Sequence, residues 1–152
     1  MTRVRRAAIA FVVATGAILA AASPAAAATN DSFGTSTNYP PSKCSNPNSP
    51  AGAVDFVDFG PGAPGGGNND DYLEIKDLCG DGDGVRAYAW LNGKYLGTRH
   101  NGLASGSTVT WDPFPDGNVR GGDTVSLKVC SVNGFAGTPY NCAELAHKSV
   151  DG

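Results

Sequence analysis

Asn92-Gly93 lies between two runs of alternating side chains, residues 85–91 and 94–100. A two-residue Asn-Gly turn requires positive φ at both positions, and its backbone matches the right-handed twist of the strands it joins. The stretch is therefore expected to form a β-hairpin whose register the turn fixes. Leu91 then faces Lys94, Trp90 faces Tyr95, Ala89 faces Leu96 and Tyr88 faces Gly97. Carried along both arms, this pairing puts Val85, Ala87, Ala89, Leu91 and Leu96 on one face of the hairpin. Arg86, Tyr88, Trp90, Tyr95 and Arg99 fall on the other, with cross-strand neighbours about 5 Å apart. The aliphatic face reads as core, and the question becomes what covers the aromatic, basic one.

Strand signals continue on both sides. Residues 53–59 (AVDFVDF) alternate, and residues 60–69 (GPGAPGGGNN) can only be a loop. Residues 72–79 put Leu73, Ile75 and Cys79 on one face, and the run Gly80-Asp81-Gly82-Asp83-Gly84 turns the chain into the hairpin. Residues 108–111, 124–132 and 142–150 supply further strands, separated by Pro-, Gly-, Asp- and Asn-rich turns at 112–117 and 133–141. No segment beyond residue 28 carries a helical period. The expected fold is all-β, a single small antiparallel β-sandwich of about seven strands occupying residues 53–152.

What precedes it has a different character. Residues 1–28 run from basic MTRVRR through an apolar, Ala-rich stretch to SPAAAA, the three regions of a secretory signal peptide, with cleavage expected near Ala28. Residues 29–52, rich in Asn, Ser, Thr and Pro, read as a flexible leader with Cys44 as its tether. Cleavage would remove three of the 11 basic residues and none of the 14 acidic ones, taking the net charge from −3 to −6. The remaining Lys and Arg are scattered singly, which argues against nucleic acid or an anionic membrane as partner. A secreted monomer is the expectation.

Cys44, Cys79, Cys130 and Cys142 all fall in the exported part, where an even count implies disulfides; no C-x-x-C or Cys/His spacing suggests zinc. Spacing favours Cys130 with Cys142, closing a short loop, and Cys44 with Cys79, pinning the leader. Connectivity stays open at this level.

Cys79, Trp90 eleven residues on, Asp123 and Cys130 resemble the core signature of an immunoglobulin-like sandwich. The chain departs from that pattern by carrying Lys128 where a tyrosine would precede the second cysteine. The resemblance implies two packed antiparallel sheets and a Cys79–Cys130 bridge, the rival pairing. The run Leu78-Cys79-Gly80-Asp81-Gly82-Asp83-Gly84-Val85, with Tyr88 and Val129-Cys130, also resembles short secreted actinobacterial proteins of unassigned function. That likeness brings no functional residues with it.

Three kinds of chemistry deserve weighing. Tyr88, Trp90 and Tyr95, flanked by Arg86 and Arg99, would make a ring platform for extracellular glycan or cell-wall polymer if their face is open, because flat rings stack on the apolar faces of sugars. Asp70, Asp71, Asp77, Asp81 and Asp83 offer oxygen ligands for calcium, but Asp and Gly more often serve as turn residues, and no cofactor is expected. Catalysis has little support: His100 and His147 fall on strands, Glu74 and Glu144 have no known separation, and no hydrolase motif is present. The leading expectation is a non-catalytic binding module. A protein-interaction or hydrolase-inhibitor domain using the loop at 131–140 comes second, and a small hydrolase third.

Overall fold

The computed structural model describes residues 31–37, 44, 48–58, 71–115 and 118–150. They form eight strands: β1 (Phe33–Ser36), β2 (Gly52–Val57), β3 (Tyr72–Asp77), β4 (Gly84–Leu91), β5 (Lys94–Asn101), β6 (Thr108–Trp111), β7 (Thr124–Val132) and β8 (Tyr140–Lys148). One sheet has the order β1-β2-β3-β6 and the other β5-β4-β7-β8, with every pairing antiparallel. The chain changes sheet between β3 and β4, between β5 and β6, and between β6 and β7. With β1 set aside, seven strands in two packed antiparallel sheets give an immunoglobulin-like sandwich layout. The expected strands appear with ends shifted by a few residues, and β1 makes the eighth.

Alternation explains the core. Val54 and Phe56 on β2, Leu73 and Ile75 on β3, Ala87 and Ala89 on β4, and Val125, Leu127 and Val129 on β7 are buried at every second position. These inward faces meet between the layers, as sheet packing requires. Two residues of the β6–β7 connection, Phe114 and Val119, close one end of this core. The buried Asp71 carboxylate accepts the Val119 N–H at 2.5 Å and so holds that connection in place.

The hairpin turn has φ of 50° at Asn92 and 80° at Gly93, both in the left-handed region that this residue pair tolerates. Asn92 also ties the turn to β7. Its amide donates to the Asp123 carboxylate at 2.8 Å and its side-chain oxygen accepts the Thr124 N–H at 2.8 Å. The Asn92 amide bond, with one from the Arg120 N–H, holds the Asp123 carboxyl below its ordinary value.

Leu91 faces Lys94 and Trp90 faces Tyr95, as the turn dictates, but the register then slips at Ala89/Trp90. Ala89 pairs with Gly97, Tyr88 with Thr98, Ala87 with Arg99 and Arg86 with His100, leaving Leu96 as the extra residue of a β-bulge. Gly97 has φ of 134°, and a Cβ there would lie 3.6 Å from the Trp111 ring. The bulge corrects the expected sidedness of β5. Arg99 shares a side with Ala87, away from Tyr88, while Thr98 and His100 join the aromatic face.

The segment expected as a leader also contributes to the sandwich. Phe33 on β1 pairs with Phe56 and stacks on its ring at 4.7 Å between centroids, with the His147 ring 4.2 Å away on its other contact. Asp31 ties this strand to β8 through His147 Nε2 at 2.9 Å. The disulfides are Cys44–Cys79 and Cys130–Cys142, the arrangement favoured by spacing. The Cys79–Cys130 bridge implied by the immunoglobulin pattern does not form, since Cys79 is bonded to Cys44 and Cys130, on β7, to Cys142 on the neighbouring β8. The expected signal peptide lies outside the described residues. Among the described residues no helix is long and apolar enough to cross a membrane, and two disulfides are compatible with an extracellular protein.

Candidate functional site

Because Ala87 and Ala89 point into the core, Arg86, Tyr88 and Trp90 must point away from it. The second sheet covers the opposite side of β4, so these rings stand on an outer face. Tyr88 and Trp90, two residues apart on one strand, have ring planes 20° from parallel and centroids 6.4 Å apart. Tyr95, directly across from Trp90, brings its ring to 5.3 Å with a tilt of 47° and remains half exposed. Tyr88 and Trp90 are partly buried.

Lys128 and Ser126 on β7 continue the face, opposite Tyr88 and Trp90 respectively, and Glu144 and Ala146 on β8 continue it further. Lys128 Nζ lies 2.8 Å from the Glu144 carboxylate. A groove of about 510 Å³ is lined by Tyr88, Trp90, Tyr95, Lys128, Pro139 and Cys142. A second, of about 430 Å³, shares Trp90 and Lys128 and extends past Ser126, Glu144 and Ala146 to Gly93. Sequence reading missed Lys128, Pro139 and the Cys130–Cys142 bridge as parts of this site. The alternation of residues 124–132 was the available signal for Lys128.

Of the five residues proposed from sequence, Tyr88, Trp90 and Tyr95 come together. Arg86 stays on the same face, but its guanidinium donates to the Phe135 carbonyl and sits 6.0 Å from the Phe135 ring centroid. Arg99 is exposed on the side the bulge gave it. Trp111 faces Leu73 and packs against the core at its open edge, so it extends no platform.

These acidic residues accept hydrogen bonds within the protein. Asp77 accepts the Cys79 N–H, Asp81 accepts the Asp83 N–H, and Asp83 accepts the Tyr140 hydroxyl. Burial and that carboxylate push the Tyr140 phenol up to about 12. The Asp77 and Asp81 bonds are those of turn-forming carboxylates, whereas the Asp83 bond ties that turn to the start of β8, and Asp70 lies outside the described residues. The one cluster of potential ligand atoms among the described residues, at Cys44, Cys79 and Asp81, contains the sulfurs of a disulfide rather than thiolates.

Glu74 and Glu144 occupy different sheets, on outward positions, and pair with Lys76 and Lys128. His147 is held between Asp31 and Phe33. His100 stands edge-on to Phe135, and burial together with the Arg86 charge lowers its pKa, favouring the neutral ring. It lines an end cavity of about 540 Å³ with Asp77, Leu103 and Phe135.

Asp77 is buried at the end of β3, and burial raises its carboxyl above the ordinary 3.8, with Asp81 adding to the effect. A raised native pKa favours folding while the group is protonated and is lost as pH climbs through the native value. Asp77→Asn keeps an acceptor for the Cys79 N–H and removes that charge. Its stability relative to wild type should therefore rise between pH 3 and pH 7 in urea unfolding; a constant difference would show that the Asp77 charge is not penalised.

The chain matches no protein-family model, no curated protein and no solved structure.

Proposed function

We propose that this chain is an exported, non-catalytic binding module for extracellular polysaccharide, holding its ligand against Tyr88, Trp90 and Tyr95. One observation carries the reading: three adjacent rings stand on a sheet face that the opposing sheet does not cover. Sugar rings present apolar faces to such rings, and the polar edges of Tyr and Trp remain free to hydrogen-bond hydroxyls. Export is supported by the basic, apolar and small-residue order of residues 1–28, and by four cysteines bridged in pairs, which require an oxidising compartment.

Retention on insoluble cellulose, chitin, xylan and purified cell wall tests it. Wild type should be retained on at least one, Trp90→Ala should weaken that retention at least about tenfold, and Arg99→Ala should stay within about twofold. Absence of retention, or equal retention of the Trp90 variant, would remove the reading.

A second reading rests on Phe135. It is 80% exposed on the loop closed by Cys130–Cys142, and exposed aromatics on constrained loops are common protein-binding hot spots. An inhibitor or interaction domain acting there should bind a member of a panel of secreted hydrolases and lose that binding on Phe135→Ala.

A further inference from the structure

The two grooves beside Trp90 form one trough, and its direction and charge restrict what can lie in it. Along β4 the lining runs Tyr88, Trp90, then Gly93 at the turn; along β8 it runs Cys142, Glu144, Ala146 in the same sense. Trp90 and Lys128 are common to both grooves, so they stand mid-trough rather than at its end. Along β8 from Cys142 to Ala146 the strand rise gives about 14 Å, room for roughly three sugar rings laid end to end.

The cation that lines the trough is already engaged, as is Arg86 beside it, and Lys148 lies on the same face of β8 outside the lining. Lys128 pairs with Glu144 at 2.8 Å, and Arg86 is tied to the Phe135 carbonyl and ring. A polyanion would have to compete with Glu144 for Lys128 and would approach a domain carrying a net charge of −6 beyond residue 28, from 11 − 3 basic and 14 acidic residues. The trough's remaining chemistry is ring faces, Pro139, a disulfide and the Ser126 hydroxyl.

Resting on the polysaccharide reading, we infer that the ligand is an uncharged polysaccharide bound along its interior, parallel to β4 and across Trp90, rather than an acidic glycan or a chain end. The rings supply the contact and neutrality avoids breaking the Lys128–Glu144 pair.

Calorimetric titration with gluco-, xylo-, manno- and N-acetylglucosamine oligosaccharides of one to six units, against oligogalacturonates of equal length, tests this at low and high salt. For at least one neutral series, affinity should rise about tenfold or more from two to four units and then level off, as the trough fills, and should change less than about twofold with salt. Oligogalacturonates should bind at least about tenfold more weakly. Full affinity for a monosaccharide, or tighter and salt-sensitive binding of oligogalacturonate, would overturn the inference while leaving a glycan-binding platform in place. Retention on an insoluble polysaccharide without binding of any neutral oligomer would also overturn it, whereas absence of both would remove the platform reading itself.

Discussion

Asn101→Asp is expected to cost about 4 kcal/mol of folding stability at pH 7 and clearly less at pH 4. Asn101 is fully buried at the end of β5 and has all of its hydrogen-bonding capacity in use. Its amide donates to the Ile75 carbonyl at 2.8 Å and the Ser107 carbonyl at 3.1 Å; its oxygen accepts the Leu103 N–H and the Ser107 hydroxyl, both at 3.1 Å. Ile75 belongs to β3, so this one side chain joins the two sheets. Aspartate is isosteric, but when ionised it turns a carboxylate toward two carbonyl oxygens and withdraws a donor from each, the Ser107 carbonyl keeping the Asp77 N–H at 3.0 Å. An uncompensated buried charge costs about 3–5 kcal/mol, a large share of a stability of about 5–15 kcal/mol. Repulsion would raise the new carboxyl's native pKa, so the deficit should grow as pH rises from 4 to 7. Urea unfolding of both proteins at the two pH values measures it, and a deficit under about 1 kcal/mol at both would mean that the network does not hold the sheets together.

Asn101 also shows where sequence reading stops. Asn101-Gly102 reads as a turn, and nothing local distinguishes a turn asparagine from one that reaches a strand in the opposite sheet. The hairpin was legible because its determinants are local: a turn dipeptide and a period of two. The bulge was less so, because inserting Leu96 leaves the run looking like a strand while inverting everything after it. Gly97 was the available clue, an isolated glycine inside a strand and often the mark of a bulge. Missing it put Arg99 in the candidate site and left out His100 and Thr98. The three rings were assigned correctly to one face since they precede the slip or sit beside the turn. Phe114 and Val119 were hidden for another reason, since a Pro- and Asp-rich connection conceals two residues that enter the core.

The missed first strand leads to the second large effect: Phe56→Ala should cost about 4 kcal/mol, within the range of about 3–5 kcal/mol for truncating a buried aromatic. Phe56 has no exposed surface, meets Phe114 edge-on at 5.6 Å and Phe33 face-on at 4.7 Å, and so connects the core to both late-recognised segments. A four-residue strand such as β1 has little periodicity to display, and its pairing with β2 spans roughly twenty residues of chain, so one phenylalanine must supply most of its docking. Phe33→Ala should cost less, about 1–2 kcal/mol, because Phe33 is only partly buried. The two effects should not add. Once Phe56 is gone, Phe33 has lost its stacking partner, and the double variant should be more stable than the sum predicts by about 1 kcal/mol. Urea midpoints of the four proteins close this cycle. Strict additivity would mean that β1 is held by its backbone pairing and by the Asp31–His147 contact rather than by ring stacking, and the sandwich would then tolerate loss of Phe33 at little cost to the face that carries Trp90.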